Sequence, residues 1–139
     1  MSDFQVELNE AIEFHDSCAA AIEIDGDKMT LRFSPAYVHR SFGAPGVQGG
    51  TVWTQDAIMT IRGCRSSGCI PEGPMKLAKG VATASEHSYI NILPVPLSLD
   101  GAVRVDFLFE NGSELQITAQ NLRLELTGPA AFVEDFPGF

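Results

Sequence analysis

Several features that would point to a particular compartment or site are missing from this sequence. It contains only three cysteines, an odd number, and its first residues show no basic region followed by an apolar one. An odd cysteine count without a secretory signal favours reduced thiols over a disulfide framework. No apolar run approaches the ~20 residues that a membrane-spanning helix needs. We therefore expect a cytoplasmic protein that has no membrane partner.

The motifs of common catalytic and cofactor sites are absent as well. The chain has no Gly-rich phosphate-binding loop and no G-x-S-x-G nucleophile elbow. Its cysteines and histidines do not occur in the close spacings typical of zinc sites. The sequence thus predicts no metal, no cofactor and no catalytic residue. Three histidines on separate strands could still converge in a small barrel, and they are His15, His39 and His87.

Positive charge is scarce, above all at the beginning of the chain. Nine Lys and Arg residues face 18 Asp and Glu residues, and the formal net charge is −9. Residues 1–27 hold eight of the acids and no Lys or Arg. A nucleic-acid-binding surface is basic, so we expect no nucleic-acid partner. The acidic segment either keeps the protein soluble or meets a basic protein, and the sequence leaves both open.

The chain does have enough apolar material for a packed core. Its apolar fraction is 45% and its charged fraction 19%, as in ordinary globular proteins. Short alternating stretches separated by Gly- and Pro-rich turns predict about seven or eight antiparallel strands. We predict a single β-rich domain, residues 1–139, of the all-β class. Its architecture would be a sandwich or partly open barrel with at most one short helix.

Two hairpins can be predicted in detail, and the first turns on Asp25-Gly26. This dipeptide is a strong signal for a two-residue β-turn between alternating strands. With these residues as the loop, Ile22 lies opposite Met29. Apolar residues then share one face, and a slip by one residue would destroy the match.

The second hairpin lies near the C-terminus and needs a longer loop. A three-residue loop of residues 110–112, with Gly112 in the left-handed conformation, places Phe107 opposite Leu115. After Ala119 the alternating apolar residues change from odd-numbered to even-numbered positions, which predicts a β-bulge or a bend near Gln120.

Other stretches carry weaker patterns. Residues 1–17 fit a strand or a helical face, and we favour a short helix or an irregular lead-in. Residues 34–50 predict a long loop, which is a frequent place for function. Residues 51–62 predict a strand, and residues 63–74 predict a second loop.

Candidate binding residues fall in the predicted long loop and at the start of the strand that follows it. Exposed aromatic side chains, histidine and arginine offer large contact areas and bidentate donors to a ligand or protein. The alternative is that the tryptophan closes the open end of the core while the arginine pairs with a surface acid. The candidates are Tyr37, His39, Arg40, Trp53, Gln55 and Asp56, with His15 and His87 elsewhere in the chain.

The neighbours His15 and Asp16 invite an acid–base interpretation. In a strand the two side chains would point to opposite faces, and in a helix they would lie about 100° apart. We therefore expect Asp16 to cap a turn or to orient a different residue. A partner for His15 would have to come from elsewhere in the fold.

The segment Phe14-His15-Asp16-Ser17, followed by a hairpin, resembles the opening of several small uncharacterised bacterial proteins. Some distant look-alikes are classed as toxin immunity proteins, so the resemblance implies a bacterial protein with an immunity-like role. It assigns no role to His15 or Asp16. We expect a non-catalytic protein-binding module, whose partner would be a basic protein. A small-ligand or enzymatic pocket and a structural homo-oligomer, such as a homodimer, are the alternatives.

Overall fold

The computed structural model describes residues 9–85 and 87–138, and these form antiparallel β-strands without any helix. The predicted all-β class is confirmed. No helix in the described residues could cross a membrane. The strands are β1 (Asn9–Glu13), β2 (Cys18–Asp25), β3 (Lys28–Ser41), β4 (Gly50–Arg62), β5 (Arg65–Gly68), β6 (Met75–Ala84), β7 (His87–Ile90), β8 (Ile92–Pro94), β9 (Leu97–Phe109) and β10 (Glu114–Phe136).

The strands form one sheet that curls into a ring. Six of them follow the order β2-β6-β9-β10-β4-β3, and β3 returns to pair with β2. The seam between β2 and β6 is short, because only Cys18 and Ala19 pair across it, with Lys76 and Met75. β1 and β8 extend the sheet beyond β3, while β5 pairs with β10 and β7 with β6. The sheet is therefore ring-like without forming a clear barrel.

The hydrophobic core lies on the inner face of this ring, where alternation directs every second side chain inward. Four phenylalanines meet there. The Phe107 ring lies 5.3 Å from Phe14, 6.5 Å from Phe33 and 6.2 Å from Phe109, measured between ring centroids. The pairs of Phe107 with Phe14 and Phe33 are edge-to-face, and such pairs add about 0.5–1.5 kcal/mol to what burial alone contributes.

The backbone around Phe14 is tied to β6 through one asparagine. The N–H of Phe14 donates to the carbonyl of Asn91 at 2.7 Å. The N–H of Asn91 donates to the Gly80 carbonyl at 2.7 Å, and the Gly80 N–H donates to the Asn91 side-chain oxygen at 3.0 Å. Gly80 therefore lies directly against the Phe14 ring, with its own backbone groups satisfied.

The first hairpin forms, but its loop and register differ from the prediction. Ile22 lies opposite Leu31 instead of Met29, and the loop consists of Gly26 and Asp27. Gly26 has a φ of +61° and occupies the first loop position, where a type II′ turn favours glycine. The register moves by two residues, so the side chains from Ile22 to Leu31 keep their predicted face while their cross-strand partners change. Further from the turn, a register shift between Ala19 and Ala21 places Ala19 opposite Phe33 in the core.

The second hairpin is confirmed in its loop and register. Phe107 lies opposite Leu115, and Gly112 has a φ of +88°. The predicted irregularity near Gln120 is also present, because the register between β9 and β10 shifts between Ala119 and Asn121.

The predicted long loop is mostly strand. β3 continues to Ser41, so the connection to β4 spans only residues 42–49. Pro35, within the predicted loop, lies where the register between β3 and β4 shifts, between Phe33 and Ala36. A bulge is one of the places where a sheet tolerates proline, so the strand resumes beyond it.

Two other predictions of irregular structure are corrected. Residues 9–13 form β1, which pairs with both β3 and β8, and are not helical. Residues 65–68, within the second predicted loop, form β5 beside β10. In both cases pairing with a distant strand overrides a weak local pattern. Residues 1–8 of the predicted lead-in lie outside the described residues.

Candidate functional site

The structure places three candidates of the predicted loop on β3. Tyr37, His39 and Arg40 are strand residues, and Val38 between them pairs with Trp53 of β4. Because neighbours along a strand point to opposite faces, Arg40 and His39 cannot share a site. These three candidates therefore belong to two clusters, one on each face of the sheet.

The first of these, the Arg40 cluster, consists of Glu10, Arg40, Trp53, Gln55 and Phe132. The Nε of Arg40 donates to the Glu10 carboxylate at 2.9 Å, and its guanidinium carbon lies 4.5 Å from the Trp53 ring centroid. A longer contact of 3.5 Å joins Arg40 Nη2 to Gln55 Oε1. The Phe132 ring meets the Trp53 ring edge to face at 5.3 Å. The guanidinium is thus held between a carboxylate and an aromatic ring.

The Arg40 cluster also closes one end of the core. Trp53 packs against the core residues, and its Nε1 donates to Thr51 Oγ1 at 2.8 Å. The side-chain amide of Gln55 donates to the Gly128 carbonyl at 2.8 Å. These contacts match the structural alternative raised for Trp53 and Arg40. An anchored Trp–Arg pair with exposed aromatic surface beside it is equally the composition of a protein-binding hot spot.

The second group, the His39 cluster, lies on the opposite face and consists of Glu13, Tyr37, His39 and Phe136. His39 is only 5% exposed, and its Nε2 lies 3.4 Å from Glu13 Oε2. The imidazole meets the Phe136 ring at 5.0 Å and the Tyr37 ring at 6.4 Å. Its Nδ1 has no hydrogen-bond partner among the described residues. Burial keeps His39 from direct contact with an external substrate. Its contacts with Glu13, Tyr37 and Phe136 instead link β1, β3 and β10.

Burial raises the pKa of Tyr37, and the carboxylates of Glu134, Asp16 and Glu13 raise it further. We expect an ultraviolet absorbance titration to show that Tyr37 ionises above the ordinary value of about 10. The folded state favours the neutral phenol, so this stabilisation is complete below the unfolded-state pKa and is lost as pH rises through the folded-state pKa. Wild type should therefore lose more stability at alkaline pH than Tyr37→Phe does.

The control for this titration is the other tyrosine. Tyr89→Phe leaves Tyr37 as the single tyrosine and should show its late ionisation directly. A Tyr89→Phe protein without a late-ionising component would contradict the assignment.

His15 and Asp16 do contact each other, contrary to the prediction. Nδ1 of His15 lies 3.2 Å from Oδ2 of Asp16, and both side chains are well exposed. The reason is a tight turn, in which the Ser17 N–H donates to the Phe14 carbonyl at 2.9 Å and Asp16 has a φ of +74°. The prediction considered only strand and helix geometry, and a turn with a left-handed residue follows neither.

The remaining candidates lie apart from both clusters. Asp56 accepts a hydrogen bond from the Ser34 hydroxyl at 2.7 Å, and His87 lies exposed on β7 opposite Ala84. The three histidines thus lie in three separate places, with His15 in a turn, His39 within β3 and His87 on β7. Within the described ranges, no three His, Cys, Asp or Glu side chains come close enough to hold a metal ion.

The acids of residues 9–27 do not form one surface. Glu10 and Glu13 lie on opposite faces of β1, and each contacts a different β3 residue, Arg40 or His39. Both carboxylates are partly buried in these contacts. Asp16 and the acids of the β2–β3 hairpin are well exposed, but they lie at opposite ends of β2.

A cavity of about 480 Å³ lies beside β1 and β8 and adjoins the Arg40 cluster through Glu10. Its lining is mainly apolar and includes Tyr89, Ile92, Pro94 and Val95, together with Glu10. None of the candidate residues lines it. The side chains expected to line a small-ligand pocket are therefore not the ones found here.

Sequence reasoning missed the exposed apolar residues of β10. Phe132 is 54% exposed and Val133 42% exposed, and both follow an irregularity at residues 128–130. The available signal was the apolar run that resumes after Gly128-Pro129.

Sequence reasoning also missed Ser17, which links β1 to β3. Its buried hydroxyl donates to the Glu13 carbonyl at 2.5 Å and accepts a hydrogen bond from the Tyr37 N–H at 2.9 Å.

Comparisons with known proteins assign no family to this chain. No family model matches it, and no significant match occurs among curated proteins or solved structures. The function of these clusters has to be argued from their own geometry and charge.

Proposed function

We propose that this protein is a non-catalytic protein-binding module that presents the Arg40 cluster and the adjoining part of β10 to a partner. One observation carries the proposal. Phe132 packs against Trp53 and yet leaves 54% of its own surface exposed, with Val133 beside it. An aromatic side chain already held by a neighbour loses little conformational freedom on binding, so its burial by a partner is favourable.

The contacts of the Arg40 cluster support binding over catalysis. Its polar groups are directed at one another, with Arg40 on Glu10 and Gln55 on a backbone carbonyl. Glu10 also lines the cavity beside β1 and β8, but its carboxylate is already paired with Arg40. A guanidinium held by a carboxylate and an aromatic ring is pre-organised, which lowers the cost of ordering it in an interface.

The charge around this surface favours a basic protein as the partner. Glu125, Glu134 and Asp135 are exposed along the same stretch of β10, while Arg40 is already paired with Glu10. An acidic rim around apolar anchors steers a basic partner toward the site and repels acidic competitors.

An immunity-like role in the cytoplasm of a bacterium is the most specific form of this proposal. In that role the protein would bind and block a basic toxin. The three free cysteines suit a reducing compartment, and the resemblance of the Phe14–Ser17 segment points in the same direction.

Phe132→Asp should weaken partner binding by at least about tenfold, because burying the new carboxylate opposes the contact. Ile24→Asp is a matched control, since Ile24 is 52% exposed but lies at the β2–β3 hairpin. Tagged wild type and both variants would be recovered from the source cell, and the retained partner identified by mass spectrometry. Affinities would then be measured with the purified partner.

A partner that binds wild type and Ile24→Asp but not Phe132→Asp supports the proposal. Equal binding by all three proteins would show that this surface is not the interface. A small molecule that stays bound in native mass spectrometry, with no protein partner, would favour the ligand-pocket alternative.

A further inference from the structure

Part of β10 has an open edge. β10 pairs with β9 only as far as Leu124, opposite Leu97, whereas its pairing with β4 continues to Phe136. Beyond Leu124, the side of β10 that faces β9 earlier in the strand pairs with no other strand of the described residues. The segment Ala131–Asp135, which we call the β10 edge, consists of five consecutive exposed residues. Its outward backbone groups are a template for pairing with another strand.

We infer that the β10 edge accepts an extended, basic segment of the partner as an added strand. This inference rests on the proposed function and specifies how the partner binds. Five residues of strand span about 17 Å, the length of a typical strand in globular proteins. In this mode main-chain hydrogen bonds supply affinity, and side chains on either face supply specificity.

Natural edge strands are kept from pairing by lysine, by proline or by bulges that turn the strand away. The β10 edge has one of these devices, a bulge at Val133, but neither lysine nor proline. Here Pro129 lies before the edge, at the register shift between Thr127 and Ala131. A second shift leaves Val133 without a partner in β4, so it and Phe132 both contribute exposed apolar surface. The β10 edge thus combines open backbone groups with exposed apolar side chains.

Charge selects a basic segment over a second copy of this chain. The end of the chain from residue 125 onward contains Glu125, Glu134 and Asp135 and no Lys or Arg. Two copies paired along this edge would bring these like charges together, which destabilises cross-strand pairs. A strand that carries lysine or arginine would instead place opposite charges near Glu134 and Asp135.

The test uses a short synthetic peptide of alternating lysine and valine as the probe. Hydrogen exchange followed by NMR should show slower exchange of Ala131–Asp135 amides when this peptide binds. A version with alternate backbone nitrogens methylated keeps the charge but loses the donors, and it should bind at least about tenfold more weakly. Equal binding of both peptides, or no protection of the β10 edge, would overturn strand addition.

Two charge-reversed variants of equal net charge test the site. Glu134→Lys with Asp135→Lys should weaken peptide binding at least about tenfold, whereas Glu23→Lys with Asp25→Lys, on the exposed hairpin, should have a much smaller effect. Protection of the β10 edge that rises with protein concentration alone would identify a second copy as the occupant and overturn the inference. If strand addition fails while partner binding still depends on Phe132, the proposed function stands and only this binding mode is lost.

Discussion

Replacing Phe14 with alanine should lower the free energy of unfolding by about 3–5 kcal/mol. Phe14 is fully buried, and its ring lies 5.3 Å from Phe107 and 6.1 Å from Phe33 between centroids. The substitution removes this apolar surface from the core and leaves a cavity between strands that ring closure holds in place. Urea unfolding followed by the fluorescence of Trp53, the single tryptophan, measures the loss.

The matched control is Phe42→Ala, which makes the same chemical change at an exposed site. Phe42 is 69% exposed in the connection between β3 and β4. Its replacement should change stability by no more than about 0.5 kcal/mol. A Phe14→Ala effect as small as that of Phe42→Ala would refute the central position of the Phe14 ring.

Gly80→Ala should cost about 1–3 kcal/mol, although it adds a single methyl group. A Cβ at this position would lie 2.3 Å from Cδ2 and 2.7 Å from Cγ of Phe14, far inside normal contact distance. The ring has no room to retreat because it is packed among other phenylalanines. The Gly80 backbone is also restrained by its two hydrogen bonds to Asn91. The same urea unfolding experiment measures this cost.

The two substitutions should be strongly coupled. In a Phe14→Ala background the space beside Gly80 is empty, so Gly80→Ala should cost much less and could partly refill the cavity. A double-mutant cycle should give a coupling free energy of about 0.5–3 kcal/mol. Strictly additive costs would mean that the Gly80 methyl group and the Phe14 ring do not compete for one space.

Turns and local irregularities were accessible from the sequence where one residue type decides them. Gly112 in a three-residue loop and the parity change near Gln120 predicted the β9–β10 register correctly. The predicted register of the first hairpin was wrong by two residues. A loop of Asp25-Gly26, as predicted, and a loop of Gly26-Asp27, as observed, both keep the apolar residues on one face. Alternation has a period of two, so it cannot distinguish registers that differ by two.

The arrangement of the candidate site was not accessible in the same way. Before the register shift between Phe33 and Ala36 the odd-numbered residues of β3 face the core, and after it the even-numbered ones do. This shift places Arg40 on the core side and His39 on the opposite face. Its position depends on how β3 matches β4, and the partners of Arg40 lie 15 and 30 residues away.

The sequence by itself determined the all-β class, the facing residues of β9 and β10, and the position of the turn between them. Alternation and turn chemistry are local properties, so short stretches carry them. Only the tertiary structure decided the ring closure, the separation of Glu10 from Glu13 and the open β10 edge. Each of these depends on which distant strands pair and on where one strand extends beyond the end of its neighbour. That choice is made by the packing of the whole core and not by any single segment.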